Sequence, residues 1–108
     1  MPRITRIDPR RYTGNRGEII HVAIAHFVPV ARVKVALRSA NGRLLEHGWT
    51  RPGATAGRFR YVTRKKLRGG QVVQIEATAT SLARKSVTLT VSHELKVRRP
   101  RSAWFPQI

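Results

Sequence analysis

The chain has 108 residues, a mass of 12.2 kDa, 41% hydrophobic residues and no cysteine. These values fit one domain with a core of its own and exclude two domains, a disordered basic tail, disulfides and thiolate chemistry. Charge is the outlier: 22 Lys+Arg, 17 of them arginine, against 5 acids give a formal net charge of +17. Arginine-favouring codons account for the ratio of arginine to lysine but not for the scarcity of acids, and self-repulsion on this scale destabilises a compact monomer unless a polyanion offsets it.

In chain order, residues 3–7 (RITRI) alternate and predict a first edge strand, which Asp8-Pro9 ends. Residues 10–17 (RRYTGNRG) read as a basic loop with one aromatic, Tyr12. Residues 18–28 form a strong strand with Ile20, Val22 and Ile24 on one face and His21, Ala23 and Ala25 on the other, stopped by Pro29. Residues 30–39 set Val33, Val35 and Leu37 against Arg32, Lys34 and Arg38, and Asn41-Gly42 then signals a hairpin into residues 43–49. A two-residue loop would put Leu37 opposite Glu46 and mix the two faces. A three-residue loop, Ala40-Asn41-Gly42 with Gly42 left-handed, pairs Leu37 with Leu45 and Val33 with Trp49, and sets Glu46 beside Arg38 and Lys34. Burial favours this second register, which is the one expected.

Residues 50–57 (TRPGATAG) carry turn and loop chemistry. Residues 58–63 alternate again, Phe59 and Tyr61 inward and Arg58 and Arg60 outward, and RKKLRGG follows as a basic turn anchored by Leu67. Val73, Ile75, Ala77 and Ala79 then share one face of residues 71–80, and Val87, Leu89 and Val91 one face of residues 86–92. No segment keeps a helical period over three turns. Seven short alternating segments at spacings of about 8–12 residues predict an all-β antiparallel sandwich.

The segments VARVKVALRSANGRLLEHG, GRFRYVT and LRGGQVVQIEATATS leading into SVTLTV resemble successive strands of bacterial immunoglobulin-like and fibronectin III-like domains, over roughly residues 17–91. The resemblance implies a single Ig-like antiparallel β-sandwich of about seven strands, residues 1–97 with the basic N-terminal strand and loop included. A basic and aromatic arm, residues 98–108, follows. Some relatives of this kind bind calcium at an acidic turn after the strand matching ATATS. Here that turn reads TSLARK without a carboxylate, which disfavours calcium.

No catalytic constellation emerges. Asp8, Glu18, Glu46, Glu76 and Glu94 are scattered singly, so no acid/base carboxylate pair is visible. His21 and His26 fall on opposite faces of a strand, a poor start for a shared metal. A non-enzymatic protein with no catalytic residue, metal or cofactor is expected.

The basic clusters remain. Arg58, Arg60, Arg64, Lys65, Lys66 and Arg68 form the densest, joined by Arg32 and Lys34 on a strand face, Arg10 and Arg11 in the first loop, and Arg98, Arg99 and Arg101 near the C-terminus. Repeated cations on an extended surface match a phosphate backbone, and few aromatics (Tyr12, Trp49 and Trp104) are placed to stack on bases. Trp104, Phe105 and Ile108 give the arm apolar anchors for docking on this chain, another copy or a partner. The expected partner is therefore nucleic acid or another polyanion, within a homo-oligomer or larger assembly. Two alternatives stand beside it: a self-assembling capsid or surface protein docking through its arm, and an adhesion module for acidic glycans. No run is long enough for a membrane span and the first residues lack an apolar signal core, so a cytoplasmic or particle-associated location is expected.

Overall fold

A computed structural model of the chain describes residues 3–25, 30–53, 55 and 57–95, with the backbone alone at residues 30 and 31. Eight strands occur in the order β1 (Ile4–Asp8), β2 (Ile19–Ile24), β3 (Val30–Ser39), β4 (Leu44–Trp49), β5 (Arg51–Pro52), β6 (Arg58–Val62), β7 (Val72–Ser81) and β8 (Ser86–Glu94). They form two four-stranded antiparallel sheets, β1-β2-β6-β5 and β4-β3-β7-β8. The fold is an all-β sandwich, and among the described residues no helix is long and apolar enough to cross a membrane.

Alternation decides which side chains lie between the sheets. Ile20, Val22 and Ile24 of β2 meet Val33, Val35 and Leu37 of β3 and Val73, Ile75, Ala77 and Ala79 of β7 in one buried cluster, closed by Ile4, Ile7, Tyr12, Tyr61 and Leu95. The alanines of β7 face β3 at Val33↔Ala79 and Val35↔Ala77, small residues against branched ones, which fills the space between strands without overpacking. Tyr12, read as a base-stacking candidate, is buried instead, with its ring against His93.

The β3–β4 hairpin departs from the expected register. Its loop is as expected: Gly42 has φ +91°, and the Ser39 and Arg43 backbones pair through a 2.8 Å hydrogen bond. Arg38 then pairs with Leu44 but Leu37 pairs with Glu46, so Leu45 is an extra residue in a β-bulge. The bulge shifts every later residue by one. Trp49 lies opposite Lys34 rather than Val33 and is 57% exposed, while Glu46 is buried on the core side instead of beside Arg38 and Lys34. Leu45 still packs on the core. Burying a carboxylate is tolerated because β6 and the loop after it supply three donors to it.

Residues 50–57 also differ from a plain loop. Arg51 and Pro52 make a short edge strand on β6, a position that accepts proline because one side of it has no partner strand among the described residues.

Candidate polyanion interface

The outer face of β1-β2-β6-β5 is built by register. Asp8 pairs with His21, His21 with Arg60 and Arg60 with Arg51, so these four residues form one row across four strands. Beside it, Arg6 pairs with Ala23 and Ala23 with Arg58. Their inward neighbours, Ile7, Val22, Ile20 and Tyr61, are buried, which commits the row members to solvent. Arg6, Arg51, Arg58 and Arg60 therefore share one surface.

Asp8 is the acid of this face, and it is already engaged. Arg10 donates through Nε and Nη2 to its two oxygens at 3.0 Å, and Arg6 stands 3.9 Å away. The Arg10 hydrogen bonds hold the Asp8 carboxyl down to about 2, against a smaller opposing effect of burial. The β1–β2 loop folds over the same region, and Arg10, Arg11, His21 and Arg58 line one hollow of about 560 Å³ with Asp8.

Glu18 and Glu46 are occupied by loops. Glu18 accepts from the backbone N–H groups of Thr13 and Asn15 and from the Thr13 hydroxyl. Glu46 Oε1 accepts from the Tyr61 hydroxyl at 2.5 Å and from Arg64 N–H at 2.9 Å, and Oε2 from Lys65 N–H at 3.1 Å. Glu46 thus fixes the start of the basic turn that carries Arg64, Lys65, Lys66 and Arg68, all exposed. Arg64 then reaches back over Gly48 to donate to the His47 carbonyl at 2.8 Å.

On the opposite sheet, Arg32 and Lys34 project from β3 onto Trp49. The Arg32 guanidinium lies 4.7 Å from the ring centroid and the Lys34 ammonium 5.9 Å. Toward the other edge this face carries hydroxyl pairs, Thr78–Thr88 and Thr80–Ser86 at 3.0 Å, and the acids Glu76 and Glu94. Arg38 stands 3.9 Å from Glu76.

The predicted cluster thus divides. Arg58 and Arg60 join Arg10 and Arg11, which sequence order had kept apart. Arg64 lies at the edge of the sandwich, and Arg32 and Lys34 belong to the other sheet. Arg98, Arg99, Arg101 and the docking anchors Trp104, Phe105 and Ile108 lie outside the described residues. Arg51, hidden in a loop-like TRPG context, belongs to none of the basic clusters of the sequence, and Arg6, which belongs to the N-terminal one with Arg10 and Arg11, meets Arg58 only once β1 and β6 are both paired with β2. Among the described residues no three His, Asp or Glu side chains gather to hold a metal ion.

No family model matches the chain, and no curated protein matches it in sequence. Among solved structures it is similar to the crystal structure of CopC from Methylosinus trichosporium OB3b, with a TM-score of 0.67 and 10% identity over 93% of this chain and 98% of that one. At that identity the likeness shows a shared β-sandwich fold.

Proposed function

We propose that this protein is a non-enzymatic, strongly basic module of immunoglobulin-like type that contacts nucleic acid or another polyanion within a larger assembly. The observation that carries this reading is the outer face of β1-β2-β6-β5. There Arg6, Arg51, Arg58 and Arg60 stand in two adjacent rows, and the acid beside them is engaged by Arg10. Strands about 4.8 Å apart repeat these cations across the sheet. A phosphate backbone repeats its charge along the chain, and each matched contact releases a counterion. The non-enzymatic part is supported by the acids, since Asp8, Glu18 and Glu46 each hold a loop or a neighbouring arginine.

The test is a salt titration of binding to a labelled duplex and to a structured RNA. Affinity should fall steeply and linearly in log[salt]. Binding that is absent, or unchanged between low and high salt, contradicts the proposal.

A further inference from the structure

A groove of about 690 Å³ opens along the side of the sandwich where the chain passes from one sheet to the other, between β4 and β6. Trp49, Arg51, Arg60 and Arg64 line it, with Thr50, Tyr61 and Val62. Trp49 is the last residue of β4 and Arg51 the first of β5. Thr50 between them is pinned, its N–H and hydroxyl both donating to the Val33 carbonyl at 3.0 and 2.9 Å. The corner that presents the indole and the guanidinium is therefore fixed in advance.

Two features of this groove go beyond general basicity. Arg51 and Arg60 are directly opposite each other in the β5–β6 pair, and neither has an ion-pair partner among the described residues. Like charges in that position destabilise a strand pair, and an anion placed between them reverses the sign of the interaction. Arg64, tied to the His47 carbonyl, adds a third guanidinium. Beside these cations stands a large aromatic surface: Trp49 is 57% exposed even though Arg32 and Lys34 both stand over its ring. A ligand that complements both parts carries an anionic group and a flat, stackable ring on one unit.

We propose that this groove takes one nucleotide unit of a single-stranded nucleic acid, its base stacked on Trp49 and its phosphate held by Arg51, Arg60 and Arg64. This rests on the polyanion reading above and sharpens it: the arginine face supplies shape-tolerant attraction, and the groove supplies a preference for strands whose bases are free. One stacking platform reads no sequence, since every base has a π face.

The experiment uses the whole 108-residue chain carrying Trp104→Phe, so that Trp49 is its one remaining tryptophan. Its fluorescence is titrated with an oligothymidylate, a duplex of equal length and heparin. The expected result is quenching by the oligothymidylate. Read by the anisotropy of end-labelled ligands, because these variants keep no tryptophan, Trp49→Ala should lower single-strand affinity on the order of tenfold, with duplex and heparin affinity within about twofold and Trp49→Phe restoring most of the loss. Arg51→Ala should weaken the single strand more than the duplex. Unquenched Trp49 with intact binding overturns the groove inference and leaves the polyanion reading standing. Equal losses for all three ligands in Trp49→Ala, or a preference for heparin, overturn it as well. Failure to bind any of the three removes both readings.

Discussion

The Tyr61 hydroxyl donates to Glu46 Oε1 at 2.5 Å, tying β6 of one sheet to β4 of the other. The same carboxylate accepts the N–H groups of Arg64 and Lys65. A buried acid thereby anchors the most basic turn of the molecule.

Removing that acceptor should be expensive. Glu46→Ala leaves the Tyr61 hydroxyl and two backbone N–H groups without it, a loss of about 3 kcal/mol, and Glu46→Gln, which keeps a carbonyl oxygen, should lose less. Tyr61→Phe should lose about 1–2 kcal/mol. Urea unfolding of the three variants checks the order. A Glu46→Ala protein as stable as wild type would show that the carboxylate is not needed there.

Tyr12 provides the contrast. It is as buried as Tyr61, but its hydroxyl has no hydrogen-bond partner among the described residues. Tyr12→Phe should therefore be neutral or stabilising by up to about 1 kcal/mol. Burial first, then nearby carboxylates, pushes both phenols above their ordinary range of about 10. The unfolded chain releases these protons first, so the stability tied to them is intact below pH ~10 and is lost as pH rises beyond it. Absorbance at 295 nm should show the two tyrosines ionising together with unfolding. Ionisation of either with an ordinary midpoint in folded protein would contradict their burial.

Acid acts through Asp8 in the opposite direction. Held down to about 2 by Arg10, it contributes stability above its unfolded value near 3.9, and that contribution disappears as pH falls from about 4 to about 2. Arg10 is largely exposed, so solvent and salt screen the pair and the effect is small. The stability gap between wild type and Asp8→Asn should therefore be present at pH 7 and vanish near pH 2. A gap independent of pH would assign it to something other than the ion pair.

Two left-handed glycines separate backbone conformation from space. Gly14 has φ +100°, and a Cβ there would stand 2.8 Å from the Leu67 carbonyl oxygen and 3.2 Å from Leu95 Cδ1, while a Cβ on Gly17, at φ +90°, would meet nothing within 4 Å among the described residues. Gly17→Ala should cost about 1 kcal/mol from conformation alone, and Gly14→Ala more, about 2–3 kcal/mol. Equal losses in thermal melts would show that the Gly14 contact can relax freely.

The strands and the inner face were legible in the sequence because period-2 alternation in β2, β3, β7 and β8 survives pairing unchanged. The hairpin register was not. It turns on one extra residue, Leu45, and on a buried Glu46 whose donors come from Tyr61, Arg64 and Lys65, more than a dozen residues away. Local pattern treats an acid as a surface residue, so it chose the register that exposed Glu46 and hid Trp49. The arginine face was half legible: Arg58 and Arg60 showed their outward alternation, but Arg51, Arg6 and the Arg10–Arg11 loop join them only through strand order.

The most direct test of that face compares the salt dependence of duplex binding for wild type, Arg51→Ser/Arg58→Ser/Arg60→Ser, and a control triple at exposed cations elsewhere, Arg43→Ser/Arg84→Ser/Lys85→Ser. Both triples remove the same formal charge. If the face of β1-β2-β6-β5 meets the phosphates, the first should reduce the slope of log K against log[salt] by roughly 3 and the control by much less. Equal reductions would mean that net charge, and not this face, governs binding.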